Sequence, residues 1–305
     1  MSDKPYKLRK ESFEEGKVEE SLKRYPCQSR SHRYFSFYTE YEPEYFLGDT
    51  PYLFFNNVDG WEDSLDKSKF IEEGKKYFVR CLSYQPSESV AMWRCYGYPS
   101  NLRIRIKAPA LRKALFLGKE NEEGSLDCAL VMKDLENEIK VKIPAKYLHV
   151  YDVLYYAHDA EQPERGYTSK TYYVEKGSFN AHGITHEELS RIDRRLLKRV
   201  AFASEKETRF YFALDENLFQ QIVSAEVRCS WPKPNYQDVM SIKVFLPNGV
   251  VGQDNLEIVR PPLWLEPKKG SKSELKKFEE VRLLKDIPNW GVKVEKSELD
   301  QKDEF

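Results

Sequence analysis

Large rings crowded into short runs constrain this chain more than anything else in it. RYFSFY (33–38), YFLGDTPYLFF (45–55), VLYYAHD (153–159) and TRFYF (208–212) stand out in a chain with 20 Tyr, 17 Phe and 5 Trp, 14% of its residues. Short aromatic and β-branched runs bounded by turn residues suit half-buried strands, because rings pack well on a pleated surface. A β-rich core built from rings is expected, and each ring counts first as packing. NLRIRIKAP carries the clearest strand signal: Leu102, Ile104 and Ile106 face one way and Arg103, Arg105 and Lys107 the other. That basic row is expected to be a solvated outer face, with phosphate binding as the alternative.

Helical signals alternate with these strands. KFIEEGKKYFVRCLSY (69–84) is expected to run from a helix into a strand over Tyr77 to Leu82. SESVAMWRCYG (87–97) reads as a short helix capped at Ser87. THEELSRIDRRLLKRVAF (185–202) opens with Thr185 and Glu188 in capping-box spacing, and SELKKFEEVRLLKD (273–286) has helical character. Within about 31–56 a short helical connector is expected between two strands, while QIVSAEVRCS (221–230) and VMSIKVFLP (239–247) are expected as strands. With neither βαβ regularity nor a repeat, the pattern predicts an α+β fold. The expected division is a charged arm or helix over 1–28, a catalytic-like domain over 29–262 and a helical extension over 263–305.

Several classes fall away. A chain of 305 residues can bury roughly 75% of its unfolded surface and needs no staple. Lys+Arg of 49 against Asp+Glu of 50 removes the global basic field of a dedicated duplex-DNA or anionic-membrane binder. Five widely spaced cysteines without CxxC argue against a disulfide framework and a structural zinc site. Without an apolar run near the ~18 residues of a membrane span, a cytoplasmic protein is expected. Phosphate-loop, dinucleotide-fold, nucleophile-elbow and zincin signatures are absent. His182 and His186 have i, i+4 spacing, but Gly183 argues against a helix there, so no metal is expected.

Two stretches carry chemistry. In KRVAFASEKETRFYF (198–212), period two places Glu205, Glu207 and Arg209 on one strand face. Two close carboxylates raise each other's pKa, while the guanidinium lowers both and fixes their geometry. A surface charge ladder fits the same spacing. In the second stretch Ser83 ends an apolar strand, and Trp93 and Tyr96 flank Arg94 on the following helix. They suit a flat heterocycle joined to phosphate, or alternatively a core anchor with a surface arginine.

Taken in order, HRYFSF, LFFNNVDGWEDSLD, VRCLSYQPSESVAMWRCYG, RIRIKAP, VYDVLYY, KRVAFASEKETRFYF and SIKVFLP resemble the successive blocks of the bacterial family known as domain of unknown function 2971. Met92, Trp93, Tyr96, Lys198, Phe202, Glu205, Glu207 and Arg209 match its positions. Asn56, Asn57 and Val58 replace its Asn-Asp-Pro turn, and its glycine after the Met-Trp block is missing near Asn101. A weaker similarity, to the ADP-ribosyltransferase superfamily, implies a split or strongly bent mixed sheet with flanking helices. It also implies NAD as substrate. On that likeness Glu207 is the catalytic carboxylate and Glu205 orients or deprotonates the acceptor. His32 and Arg33 engage NAD, Ser83 backs the site, Trp93 or Tyr96 stacks on a ring beside Arg94, and Arg209 organises the carboxylates.

The implied activity is ADP-ribosyl transfer to a protein or nucleic acid, or NAD hydrolysis, in the setting of a bacterial toxin or phage-defence effector, with no membrane partner. Two alternatives stand beside it. One is a non-enzymatic nucleotide sensor using Arg103, Arg105 and Lys107. The other is a magnesium nuclease using Asp59, Glu62 and Asp63 with Glu205 or Glu207.

Overall fold

The computed structural model describes residues 32–42, 51–61, 64–115, 124–133, 138–158, 171–174, 182–184, 195, 197–229, 233–247, 250, 252, 254–267 and 272–301. The protein is α+β, with few helices and one large, mostly antiparallel open sheet. Its strands begin with β1 (Tyr34–Glu40), β2 (Tyr52–Asn57), β3 (Lys75–Ser83), β4 (Asn101–Lys107), β5 (Ser125–Met132), β6 (Ile139–Pro144) and β7 (Leu148–Asp152). A separate four-stranded sheet holds β8 (Leu154–His158), β9 (Thr171–Val174), β10 (His182–Ile184) and β11 (Leu197–Arg199). The large sheet resumes with β12 (Glu207–Asp215), β13 (Val239–Phe245), β14 (Leu256–Val259), β15 (Asp286–Ile287) and β16 (Val292–Glu295). The helices are α1 (Ser64–Ser68), α2 (Val90–Tyr96), α3 (Ala108–Ala114), α4 (Glu216–Ile222), α5 (Ala225–Arg228) and α6 (Lys272–Leu283).

The rings do what their spacing requires. Phe35, Phe55, Phe78, Phe210 and Phe212 share one buried cluster, and Phe35 meets Phe210 edge to face at 5.4 Å between centroids. On the opposite face of β3 and β12, Phe70, Tyr77, Val79 and Tyr211 form a smaller cluster. Period-two alternation divides the two: Phe210 and Phe212 turn one way, Arg209 and Tyr211 the other.

One feature of the pairing places the candidate site. Strand β12 pairs along the whole length of β3, from Glu207 opposite Ser83 to Asp215 opposite Lys75. The other edge of β3 is divided, with β1 meeting it at Ser36–Ser83 and β2 at Asn56–Val79 and Asn57–Phe78. Beyond β1 the sheet continues through β4, β14, β16 and β15, and beyond β2 through β13, β5 and β6. The sheet therefore forks at β3, and a notch opens where neither branch covers residues 80–82.

Several local expectations are corrected. The cap of α2 is Ser89, whose hydroxyl accepts from Met92 N, so the helix starts later than a cap at Ser87 implies. Over 221–230 the β-branched residues read as a strand, but α4 ends at Ile222 and α5 occupies Ala225–Arg228, with Ser224 Oγ accepting from Val227 N. The helix expected over 185–202 gives way to β11 and a 3-10 turn at Val200–Glu205; its first ten residues, and the 1–28 arm, lie outside the described residues. In 69–84 the helix stops at Ser68, and Gly74, at φ 74°, turns the chain into β3.

Of the basic row on β4, Lys107 is exposed as expected, but Arg103 and Arg105 are not solvated. Arg103 is 2% exposed and donates to the carbonyl of Ser87, while Arg105 pairs with Glu257 at 3.0 Å and lies over the Tyr34 ring. Strand β14, laid against β4, closes this edge. The 263–305 extension holds α6 and also β15 and β16, and β16 joins the large sheet in parallel with β14.

Candidate functional site

Glu205 and Glu207 meet by a route that strand spacing does not provide. Glu205 ends the 3-10 turn, Lys206 takes a left-handed φ of 44°, and β12 starts only at Glu207. A non-glycine residue in that region costs about 1 to 2 kcal/mol and persists only where its surroundings hold it. Here the Ser83 hydroxyl donates to the Glu205 carbonyl at 2.6 Å and Tyr84 N to the Lys206 carbonyl at 2.9 Å. The kink sets the two carboxylates around one ammonium, with Lys198 Nζ 2.6 Å from Glu205 Oε2 and 2.9 Å from Glu207 Oε2.

Arg209 completes the network. Its Nε donates to Glu207 Oε1 at 2.6 Å, its Nη2 to Asp66 Oδ2 at 2.5 Å and its Nη1 to the Arg195 carbonyl at 2.7 Å. Lys69 donates to the other oxygen of Asp66 at 2.7 Å. Three carboxylates (Asp66, Glu205, Glu207) thus stand with three cations (Lys69, Lys198, Arg209). Nearly complete burial of Arg209, Glu207 and Asp66 makes this balance necessary, since an unpaired charge there would lack solvation.

The two glutamates are driven apart in acidity. Burial works to raise Glu207, but Arg209 and Lys198 outweigh it and hold this carboxyl well below the usual range. Glu205 moves the other way: burial raises it, Lys198 opposes and the charge of Glu207 adds to the rise. Tyr96 donates to Glu205 Oε1 at 2.6 Å. Cys81 is exposed to the hollow, and desolvation by the surrounding walls together with the charge of Glu207 pushes its thiol up. A pair of carboxylates separated in this way, one fixed as an anion and one able to exchange a proton, is the arrangement acid–base chemistry uses.

Both carboxylates line a hollow of about 570 Å³ at the fork. Phe37, Tyr38, Trp61, Tyr96 and Phe202 wall it, with Asp66, Lys198, Cys81 and Ser83 near the carboxylates and Arg80 and Asn56 farther out. Residues of both parities on β1 and β3 reach it: Ser36 and Tyr38 with Phe37, Cys81 and Ser83 with Arg80. A strand paired on both edges presents one face, so this lining marks an opening between strands.

Of the residues expected from sequence, Glu205, Glu207, Ser83 and Tyr96 line the hollow, and Arg209 lies directly behind Glu207. His32 does not; it is buried, bonded to Asp152 at 2.9 Å and stacked on Tyr84 at 4.1 Å. Arg33 is exposed outside it. Trp93 is wholly enclosed, its Nε1 donating to Glu88 at 2.8 Å, and has no free face for a ligand ring. Arg94 sits over Trp264 at 5.7 Å, away from the hollow. Glu62 and Asp63 lie outside the described residues and Asp59 is exposed. Among the described residues no three His, Cys, Asp or Glu side chains group as metal ligands. Sequence reasoning missed Asp66, Lys69, Cys81, Arg80 and Trp61; for Lys198 the only signal was its place in the matched blocks.

Helix α2 presents Tyr96 and Met92 to the hollow and is anchored from behind. Glu88 accepts from Trp93 Nε1, from Ser297 Oγ at 3.0 Å and from Glu298 N. Gly97 closes the helix so tightly that an added Cβ would lie 2.3 Å from Trp93 Cε3 and 2.6 Å from the Trp93 carbonyl oxygen. Gly97→Ala is expected to destabilise the protein by about 1 to 3 kcal/mol, read as a lowered thermal midpoint. An unchanged midpoint would mean that α2 is free to shift.

Fold and site together define an α+β protein whose forked antiparallel sheet holds a charge-balanced carboxylate pair beneath an aromatic-walled hollow. No family model, curated protein or solved structure matches the chain significantly. No helix among the described residues is long and apolar enough to cross a membrane.

Proposed function

We propose that the hollow binds NAD and that the protein breaks the bond between nicotinamide and ribose, passing ADP-ribose to a macromolecular acceptor or to water. The observation that carries this reading is the pair of carboxylates sharing Lys198 beside solvent-accessible rings, one held well below the usual carboxylate range and the other raised. Further support comes from the ordered sequence blocks and from the forked sheet, which suits the split sheet expected of an ADP-ribosyltransferase-like fold.

As the glycosidic bond breaks, nicotinamide leaves with the bonding electron pair and positive charge builds on the ribose. A fixed anion beside the sugar stabilises that charge. Glu207 takes this role. Arg209 and Lys198 each hold one of its oxygens and fix the carboxylate at the floor of the hollow. Glu205 accepts the proton of the attacking hydroxyl or water as the new bond to the anomeric carbon forms. Tyr96, Trp61 and Phe202 offer faces to the nicotinamide ring. Arg80 lines the hollow, where His32 and Arg33 do not, and takes the pyrophosphate in this reading.

Purified protein incubated with NAD should release nicotinamide or transfer labelled ADP-ribose, and Glu207→Gln should slow this by roughly 10²- to 10³-fold. A calorimetric titration with NAD covers the case of a missing acceptor. Absence of release, transfer and binding together would overturn the reading.

A further inference from the structure

A second hollow of about 260 Å³ adjoins the first and shares Phe37, Asn56 and Arg80 with it. It lies between the diverging β1 and β2, with Tyr52 and Phe54 on one side and Thr39, Glu40 and Glu42 on the other. Arg80 stands at the junction, its guanidinium 4.2 Å from the centroid of the Phe37 ring. Glu40 is held by Lys277 at 2.8 Å and by Ser100 at 3.3 Å, and Glu42 is exposed beside it. Lys243 lies over the rings of Tyr52 and Phe54, bonded to Glu138, and does not line the hollow.

The sequence of chemistries along the notch runs from carboxylate pair to arginine to rings with carboxylates. A dinucleotide laid with its reacting ribose at Glu207 brings its pyrophosphate to Arg80 and its adenosine to the second hollow. Rings stack on a base, an arginine takes a phosphate in bidentate fashion, and carboxylates accept from ribose hydroxyls; a phosphate ester at the same place meets the charge of Glu42, that of Glu40 being shared with Lys277.

We propose that the second hollow is the adenosine subsite and that Glu40 and Glu42 make it select an unmodified ribose over a 2′-phosphorylated one, so that the protein uses NAD and rejects NADP. This rests on the dinucleotide reading given above. Nothing in it requires the glycosidic bond to break.

Binding of ADP-ribose, 2′-phospho-ADP-ribose and nicotinamide mononucleotide, each measured by calorimetry, tests it. ADP-ribose is expected to bind at least about tenfold more tightly than its 2′-phosphate, since like charges brought together in a site carry a penalty of that order or more. Glu40→Gln with Glu42→Gln should narrow this gap and leave nicotinamide mononucleotide unaffected; both residues are exposed, so the variant is expected to fold. Arg80→Gln should weaken both ADP-ribose ligands alike. Equal affinity for the two ADP-ribose ligands, a gap that survives the double substitution, or no ADP-ribose binding would each overturn the proposal. Selective ADP-ribose binding without nicotinamide release would leave the subsite standing and remove the catalytic reading. Release of nicotinamide without that selectivity would do the reverse.

Discussion

Arg209→Leu is expected to lower unfolding free energy by about 3 to 5 kcal/mol, because removing one partner of a buried ion pair leaves the other charge without solvent or counter-ion. The guanidinium is fully enclosed and serves Glu207, Asp66 and the Arg195 carbonyl at once. Its loss leaves Glu207 with Lys198 and Asp66 with Lys69, and it strands a carbonyl. Against a total stability of about 5 to 15 kcal/mol the loss is large. Arg209→Lys should recover only part of it, since an ammonium is a point charge and cannot span three acceptors in a plane. Urea denaturation reads the effect; a difference under about 1 kcal/mol for the leucine variant would mean the network does not secure β12 to α1.

Lys198→Met should show a comparable loss at neutral pH and a steeper gain toward low pH than the parent. In the parent, the lowered pKa of Glu207 supplies stability that is full above the ordinary carboxylate value of about 4.3 and is lost as pH falls below it. Glu205, with its raised pKa, works in reverse: its share is present at low pH and is lost as pH rises through the raised value. Without the shared ammonium, two carboxylates face each other beside Arg209, and Glu205 rises further. The variant should therefore gain more stability than the parent on going from neutral pH toward pH 5. Denaturant midpoints of both proteins across that range decide it, and a variant whose gain does not exceed the parent's would show that Lys198 does not hold the two carboxylates apart. Nicotinamide release should fall with it, since Glu205 would then hold its proton more tightly and accept another less readily.

The strands were legible because their signal is local. NLRIRIKAP forms β4 with Leu102, Ile104 and Ile106 buried, and TRFYF forms the middle of β12. Glu207 and Arg209 share a face because they are two apart on one strand. Glu205 joins them for another reason, the turn at Lys206, whose left-handed backbone no side-chain pattern announced. Arg103 and Arg105 on β4 misled because alternation reports which way residues point and is silent about what lies there; Glu257 of β14 and the carbonyls of Pro86 and Ser87 meet them. Trp93 likewise has the spacing of a ligand platform, but the carboxylate of Glu88 and the carboxy-terminal residues behind it enclose its ring.

From residues alone came the ring-built strands, the α+β class and the ExExR segment, since each depends on side chains within a few positions of one another. The fork at β3, the hollow within it, and the arrival of Asp66 and Lys198 at Glu207 came only with the three-dimensional chain. They depend on which strands share an edge, and that is settled by the simultaneous packing of segments more than a hundred residues apart.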